Sequence, residues 1–273
     1  VDARTIYRGL DIGTAKPDVN ERSEIPHYNV DVLEPSERDT PKAFEERILT
    51  QVSAFKHPVV FTGGSTLYLQ QLLFGSDIIP ERNESNTHVL NSLLIRRGKS
   101  FIVNWLNTVD PEYARQVDGF NGVRIFRALD VWLQSGRPFS SFHSIDLTKP
   151  RIPLVFGIYR PKELLKERIM ARTHHMFSNG LVHEVSTLLL GGYVPESPGF
   201  RTIGYREVIE GLANGMSVDD MAHAVAKNTI AYAKRQTIFF KRWPFIQWFD
   251  ANEQSTEEIV QAIVAKMGKF GAN

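Results

Sequence analysis

The sequence predicts an α/β fold with a parallel sheet, and three observations predict it. Runs of branched and apolar residues at 28–33, 58–62 and 152–159 have strand length. The second of them ends in Gly63-Gly64-Ser65-Thr66, and longer segments of helical periodicity lie between and after the runs. In chain order, 42–55 reads as an amphipathic helix leading into the second strand, and Leu67, Tyr68, Leu72 and Leu73 open a new helix behind the glycines. From 80 to 149 strand signals vanish and helical ones take over, at 89–97, 101–107, 111–116 and 123–134. The predicted organisation is therefore an α/β core of residues 1–79 and 150–273, with a helical insertion at 80–149. Beyond the strand at 152–159, helices at 161–178 and 181–190 end at Asn179-Gly180 and Gly191-Gly192. The last third is mostly helix, with a fourth strand at 246–249. No internal repeat or long linker separates independent domains.

Composition excludes several classes. With 42% hydrophobic and 23% charged residues in 273, the chain is neither disordered nor fibrous. It has no cysteine, which removes disulfides, thiolate nucleophiles and cysteine zinc sites and suits a reducing cytoplasm, the expected compartment. Its eight histidines show no zinc spacing; His174 and His175 are adjacent. The apolar runs fall far short of the roughly 20 residues a membrane helix needs. The net charge of +1 demands no polyanionic partner, so any nucleic-acid footprint must lie in the distribution of charge. A monomer is the default expectation. The chain opens on Val1 rather than Met, and a missing N-terminal piece is expected.

Five segments carry candidate chemistry. The run from Asp2 to Pro17 joins a carboxylate to a Gly/Pro-punctuated loop bearing Thr14 and Lys16, suited to an anion or simply a solvated loop. Glycines at 63 and 64 let backbone approach a ligand, and Ser65 adds a hydroxyl at a helix start, although Gly-Gly also merely ends strands. Arg124 and Arg127 share a helix face beside the apolar stripe Ile125, Ala128, Leu129 and Trp132. That pair suits phosphate or stacked-base contacts, or surface salt bridges. Arg201, in Phe200-Arg201-Thr202-Ile203-Gly204-Tyr205, stands before a helix and could clamp a diphosphate. Finally, Lys227, Lys234 and Lys241 recur every seven residues with Arg235 and Arg242 beside them, a basic stripe that fits nucleic acid or a solvated face.

Taken as strings rather than compositions, these segments resemble the tRNA dimethylallyltransferase family. Asp2 begins a run ending in the family's DIGTAKP. Gly63 to Tyr68 is similar to its GGT-x-LY, with Ser65 for Thr. Residues 124–131 resemble its RxxRALEV, residues 203–207 its IGY(K/R)E, and Thr229 with residues 232–236 and Phe240 its T-x-x-YAKRQ-x-TWFR helix. The five lie in the family's order over nearly the whole chain. The resemblance implies a P-loop NTPase-like parallel-sheet core, a helical insertion that grips the tRNA anticodon stem-loop, and transfer of a dimethylallyl group from dimethylallyl diphosphate to N6 of the adenosine 3′ of the anticodon. It implies that Asp2 takes the proton from the amine, while Ser65, Arg201 and a magnesium ion stabilise the leaving diphosphate. It further implies tRNA contacts by Asp2, Ala3, Arg4, Thr5, Arg124, Arg127, Lys234, Arg235 and Gln236.

Departures are also visible. The family's first strand and its GxTxxGK(S/T) loop, which holds most of the magnesium site, do not occur in these 273 residues, so this stretch alone is expected to bind donor poorly. Ala3, Thr5, Asn121 and Ile230 stand where Ser, Gln, Asp and Arg are usual. Two other readings stay open: a non-catalytic tRNA-binding relative without its phosphate loop, and an adenylate isopentenyltransferase acting on free nucleotides.

Overall fold

Local capping sets the helix boundaries. The computed structural model describes residues 1–56, 59–75, 79–142 and 146–270, with no side-chain description at 269 and 270. Helix α1 (Val19–Glu24) starts at a capping box between Asp18 and Glu21. Helix α2 (Pro41–Val52) starts at Thr40, whose hydroxyl accepts from Ala43, with proline in its first turn. Helix α3 (Thr66–Phe74) follows the Gly63-Gly64-Ser65 turn. Then come α4 (Glu84–Val109), α5 (Pro111–Ala114), α6 (Gly122–Ser135) and a 3-10 turn at Phe139–Phe142. Strand β1 (Phe156–Tyr159) leads to α7 (Lys162–Ser178), α8 (Leu181–Leu190), a 3-10 turn at Pro198–Arg201, α9 (Tyr205–Ala213) and α10 (Val218–Phe240). Strand β2 (Gln247–Asp250) and α11 (Thr256–Phe270) close the chain.

The mixed α/β character and the parallel sense of the sheet are as expected, but the sheet is smaller. Strands β1 and β2 pair in parallel from Phe156 opposite Gln247 to Tyr159 opposite Asp250, and they form a two-stranded sheet. The expected strand at 28–33 makes only a bridge between Tyr7 and Leu33, because Asn29 and Asp31 have φ of 64° and 54°, which breaks extended backbone. The expected strand at 58–62 begins at Pro58, outside the described residues. Its residues 59–62 join no ladder among the described residues, and a strand exists only through pairing. Of 152–159 only the last four residues pair, and β2 lies one residue beyond the expected 246–249.

The chain divides into two compact units, Val1–Leu73 with Thr148–Asn273, and Phe74–Leu147. In the first, Ile6, Leu10, Leu181, Val185, Phe200, Tyr205 and Val208 form a buried cluster, and Phe44 and Ile48 of α2 form another with Tyr68 and Leu72 of α3. In the second, Leu90, Ile102 and Leu106 of α4 pack on Ile125, Ala128, Leu129 and Val131 of α6. Each fully buried leucine or isoleucine there contributes about 1.5–3 kcal/mol. Helix α4 is interrupted at Gly98 (φ 80°, ψ 174°), a backbone region open essentially to glycine, so two helical signals expected at 89–97 and 101–107 meet at a break. No described helix is long and apolar enough to cross a membrane.

Candidate active site

Within the first unit, three separated segments meet around Asp2. The Asp2 carboxylate accepts the backbone N–H groups of Arg4 (2.6 Å) and Thr5 (3.3 Å) through Oδ1, an Asx-type turn that fixes the side chain. Its Oδ2 has no hydrogen-bond partner among the described residues. The next N–H, of Ala3, donates to the buried Ser65 hydroxyl at 2.9 Å, and Ser65 N–H donates to the Val1 carbonyl at 3.4 Å. Position 63 of the turn preceding Ser65 must be glycine. A Cβ on Gly63 (φ 147°) would lie 2.1 Å from the Val1 carbonyl oxygen.

Helix α10 supplies the third segment. Gln236 donates through Nε2 to the Gly64 carbonyl (2.8 Å), and the Tyr232 hydroxyl stands 3.5 Å from the same oxygen. Partial burial pushes the Tyr232 phenol above its ordinary value of 10.0, and the Asp2 carboxylate adds to the rise. Tyr232 is a site neighbour that residue types alone did not single out, although its spacing of four from Gln236 puts both on one helix face. Lys234 and Arg235 are exposed, as are Lys227 and Lys241, so the basic stripe is open to solvent.

Arg201 ends the 3-10 turn, exposed and without a hydrogen bond or ion pair among the described residues. Burial pushes the Tyr7 phenol up, against the positive charges of Arg4 and Arg201, so both arginines lie within electrostatic reach of one ring. Asp39, which also acts on that phenol, pairs with Arg47 (2.9 Å), and Arg47 also holds Asn29 (2.8 Å). Burial, with the Asp39 charge next, raises the Tyr68 phenol far above its ordinary range.

Lys16 and Thr14 bond to the protein itself, so neither of the two readings left open, an anion contact or a solvated loop, describes Lys16, whose side chain is 2% exposed. The Lys16 ammonium spends all three donors on the Tyr7 carbonyl (2.7 Å), Asp11 (2.5 Å) and Asp31 (2.6 Å), and Thr14 donates to the Leu10 carbonyl. The same loop is locked from behind. Glu184 accepts the N–H of Ile12 (2.9 Å) and the Tyr205 hydroxyl (2.5 Å), while Gly13 N–H donates to Tyr205 (3.1 Å).

Arg124 and Arg127 belong to the second unit. Arg127 is drawn in, donating to Asp130 (3.1 Å) and the Pro80 carbonyl (2.5 Å), whereas Arg124 is exposed. The pair thus separates into an internal strut and an open cation. Asn91, Arg82, Thr87, Leu94 and Phe126 line a shallow cleft on the same unit. No three His, Cys, Asp or Glu side chains converge among the described residues, so these side chains alone do not build a cage for a divalent ion.

Comparison with known proteins gives a consistent result. Residues 5–243 match the family described as IPP transferase. A tRNA dimethylallyltransferase of Synechocystis sp. is 34% identical over 264 residues, covering 96% of this chain and 85% of its own. One from Alkaliphilus metalliredigens is 33% identical over 269 residues, covering 96% and 86%. Among solved structures, a tRNA delta(2)-isopentenylpyrophosphate transferase of Staphylococcus epidermidis superposes with a TM-score of 0.69 at 26% identity, over 98% of this chain and 89% of that one. A eukaryotic dimethylallyltransferase acting on tRNA shares the fold with a TM-score of 0.78 at 23% identity, over 100% and 72%.

Proposed function

This chain belongs to the IPP transferase family, and from that premise we propose that it is a tRNA dimethylallyltransferase whose reaction centre is the meeting of Asp2, Ser65 and Arg201. The substrates follow the family: a tRNA anticodon stem-loop and dimethylallyl diphosphate. The N6 amine of the adenosine 3′ of the anticodon attacks the allylic carbon, a C–N bond forms, the C–O bond to diphosphate breaks, and the amine proton goes to Asp2.

The observation that carries this reading is the half-used Asp2 carboxylate. One oxygen is pinned by two backbone N–H groups and the other makes no hydrogen bond among the described residues, the state a positioned base requires. Ser65 is held by the Ala3 N–H and lies against the Tyr232 hydroxyl, from which its own hydroxyl would turn to a diphosphate oxygen, while Arg201 presents a guanidinium that makes no hydrogen bond or ion pair among the described residues. Catalysis then rests on orientation and charge stabilisation. Magnesium, if it takes part, would enter bound to the diphosphate and neutralise the leaving group, since Mg²⁺ is commonly held by substrate phosphates with few protein ligands.

Lys234, Arg235 and Arg124 support RNA binding as exposed cations, with Ala3, Arg4 and Thr5 beside the base. The Gly63-Gly64-Ser65 turn and the parallel pairing of β1 and β2 are consistent with a P-loop-type core, and the second unit with the arm that grips the stem-loop. A cytoplasmic monomer completes the reading.

The test is transfer of one prenyl group, read by mass spectrometry, from dimethylallyl diphosphate with magnesium to an unmodified anticodon stem-loop by the full-length protein. Asp2→Asn keeps an acceptor oxygen for the turn and removes the base. We expect it to bind RNA within about twofold of the parent and to transfer nothing measurable. Transfer at the parental rate by Asp2→Asn would remove Asp2 from the chemistry. RNA binding without any transfer by the parent would favour the non-catalytic reading.

A further inference from the structure

We propose that Gln236 is a positioning residue for the reaction centre rather than a contact to the nucleic acid. This rests on the reading of Asp2 and Ser65 as that centre. Gln236 lies in the middle of the basic segment of α10, yet its amide points away from the exposed lysines and donates to the Gly64 carbonyl at 2.8 Å. From there the connections are short. Gly64 is joined to Ser65, the Ser65 hydroxyl accepts the Ala3 N–H at 2.9 Å, and Ala3 follows Asp2. One helix therefore carries the open cations on one side and, on the other, a tether to the turn that aligns the base.

The second observation is steric. A Cβ on Gly64 would come within 2.1 Å of Gln236 Nε2 and 3.2 Å of its Cδ, and it meets no other residue's atoms at closer than ordinary contact. Gly64 does not have a positive φ, so alanine fits its backbone. The space that glycine leaves at 64 is thus filled by the Gln236 amide, and the two positions form one device. Alanine at 64 evicts the amide without straining the fold, which makes Gly64→Ala equivalent to losing Gln236.

The experiment compares the full-length parent with Gln236→Ala, Gly64→Ala, the double variant, and Gln236→Glu, which keeps the length but loses the N–H. RNA affinity is read by anisotropy of a labelled stem-loop, transfer by single turnover at saturating RNA, and turn order by hydrogen exchange of the segments 1–5 and 62–66. Each variant should slow transfer by about threefold to tenfold, the size of one neutral hydrogen bond. RNA affinity should stay unchanged, exchange in both segments should rise, and the double variant should lose no more than either single. Weakened RNA binding at an unchanged rate, or losses that add in the double variant, would overturn the proposal. If the parent itself transfers no prenyl group, the functional reading fails, while the exchange data still decide whether Gln236 orders the Asp2 turn; unchanged exchange in Gln236→Ala would sink the tether.

Discussion

At the scale of single residues, function depends on which polar groups the fold leaves unspent. Lys16 and Arg201 are both cations in family-like strings, and their residue types do not tell them apart. The structure saturates Lys16 with three acceptors at a side chain only 2% exposed, and leaves Arg201 open. Arg201→Ala should therefore change stability by less than about 0.5 kcal/mol, while it lowers kcat/KM for the prenyl donor on the order of a hundredfold. Arg201→Lys should recover only part of that loss, because an ammonium cannot reproduce a bidentate fork. Donor titration at saturating RNA with a thermal melt in parallel measures both, and a melt that drops with the rate would make Arg201 structural. The motif strings marked Asp2, Ser65 and Arg201 at once. That Oδ2 of Asp2 has no hydrogen-bond partner among the described residues follows from a local turn, but that Ser65 and Tyr232 come up to that turn depends on contacts between residues far apart in the chain, which no local pattern encodes.

At the scale of elements, one buried carboxylate ties α2 to α3 and to the segment before β1. Glu45, 3% exposed, accepts from Gln71 (2.7 Å), Arg151 (2.7 Å) and Lys42 (3.0 Å). Burial pushes its carboxyl up, but the hydrogen bonds from Lys42, Gln71 and Arg151 together outweigh that and hold it below the ordinary 4.5. A depressed carboxylate contributes stability that is fully present above the ordinary value and is lost as pH falls through the native value. Glu45→Ala leaves the Gln71 amide buried without its acceptor and should cost about 1–3 kcal/mol near neutrality. The two cations are more than half exposed, so their pairing adds little. Melts of parent and variant from about pH 6 to about pH 3 should converge toward the acid end; a gap that stays constant would show that the charge of Glu45 contributes nothing. Helices were legible because caps and apolar periodicity are local: Thr40 opens α2, Asn121 opens α6, and Gly136 ends it. Strands were not, because pairing partners come from elsewhere. The run at 28–33 has strand composition, but Asn29 and Asp31 turn it aside.

For the whole molecule, a net charge of +1 gives no long-range pull on a polyanion, so binding must come from where the cations sit. Lys227, Lys234, Arg235 and Lys241 are exposed along α10. If they meet phosphates, the logarithm of RNA affinity should fall linearly with the logarithm of salt, and Lys234→Ala should reduce that slope by about 1 while weakening all stem-loop sequences alike. An unchanged slope would take Lys234 out of the interface. By itself the sequence determined the α/β class, the places of helices such as α2, α6, α7 and α8 though not of α1, and, through five ordered strings, the family, because each of these is carried by neighbours in the chain. Only the tertiary structure decided that Arg127 braces Asp130 instead of facing outward, that Lys16 is buried, and that Gln236 holds Gly64. A helix offers the same polar side chain to solvent or to a neighbour, and the choice is made by which unsatisfied carbonyl or carboxylate the packing brings within about 3 Å of it.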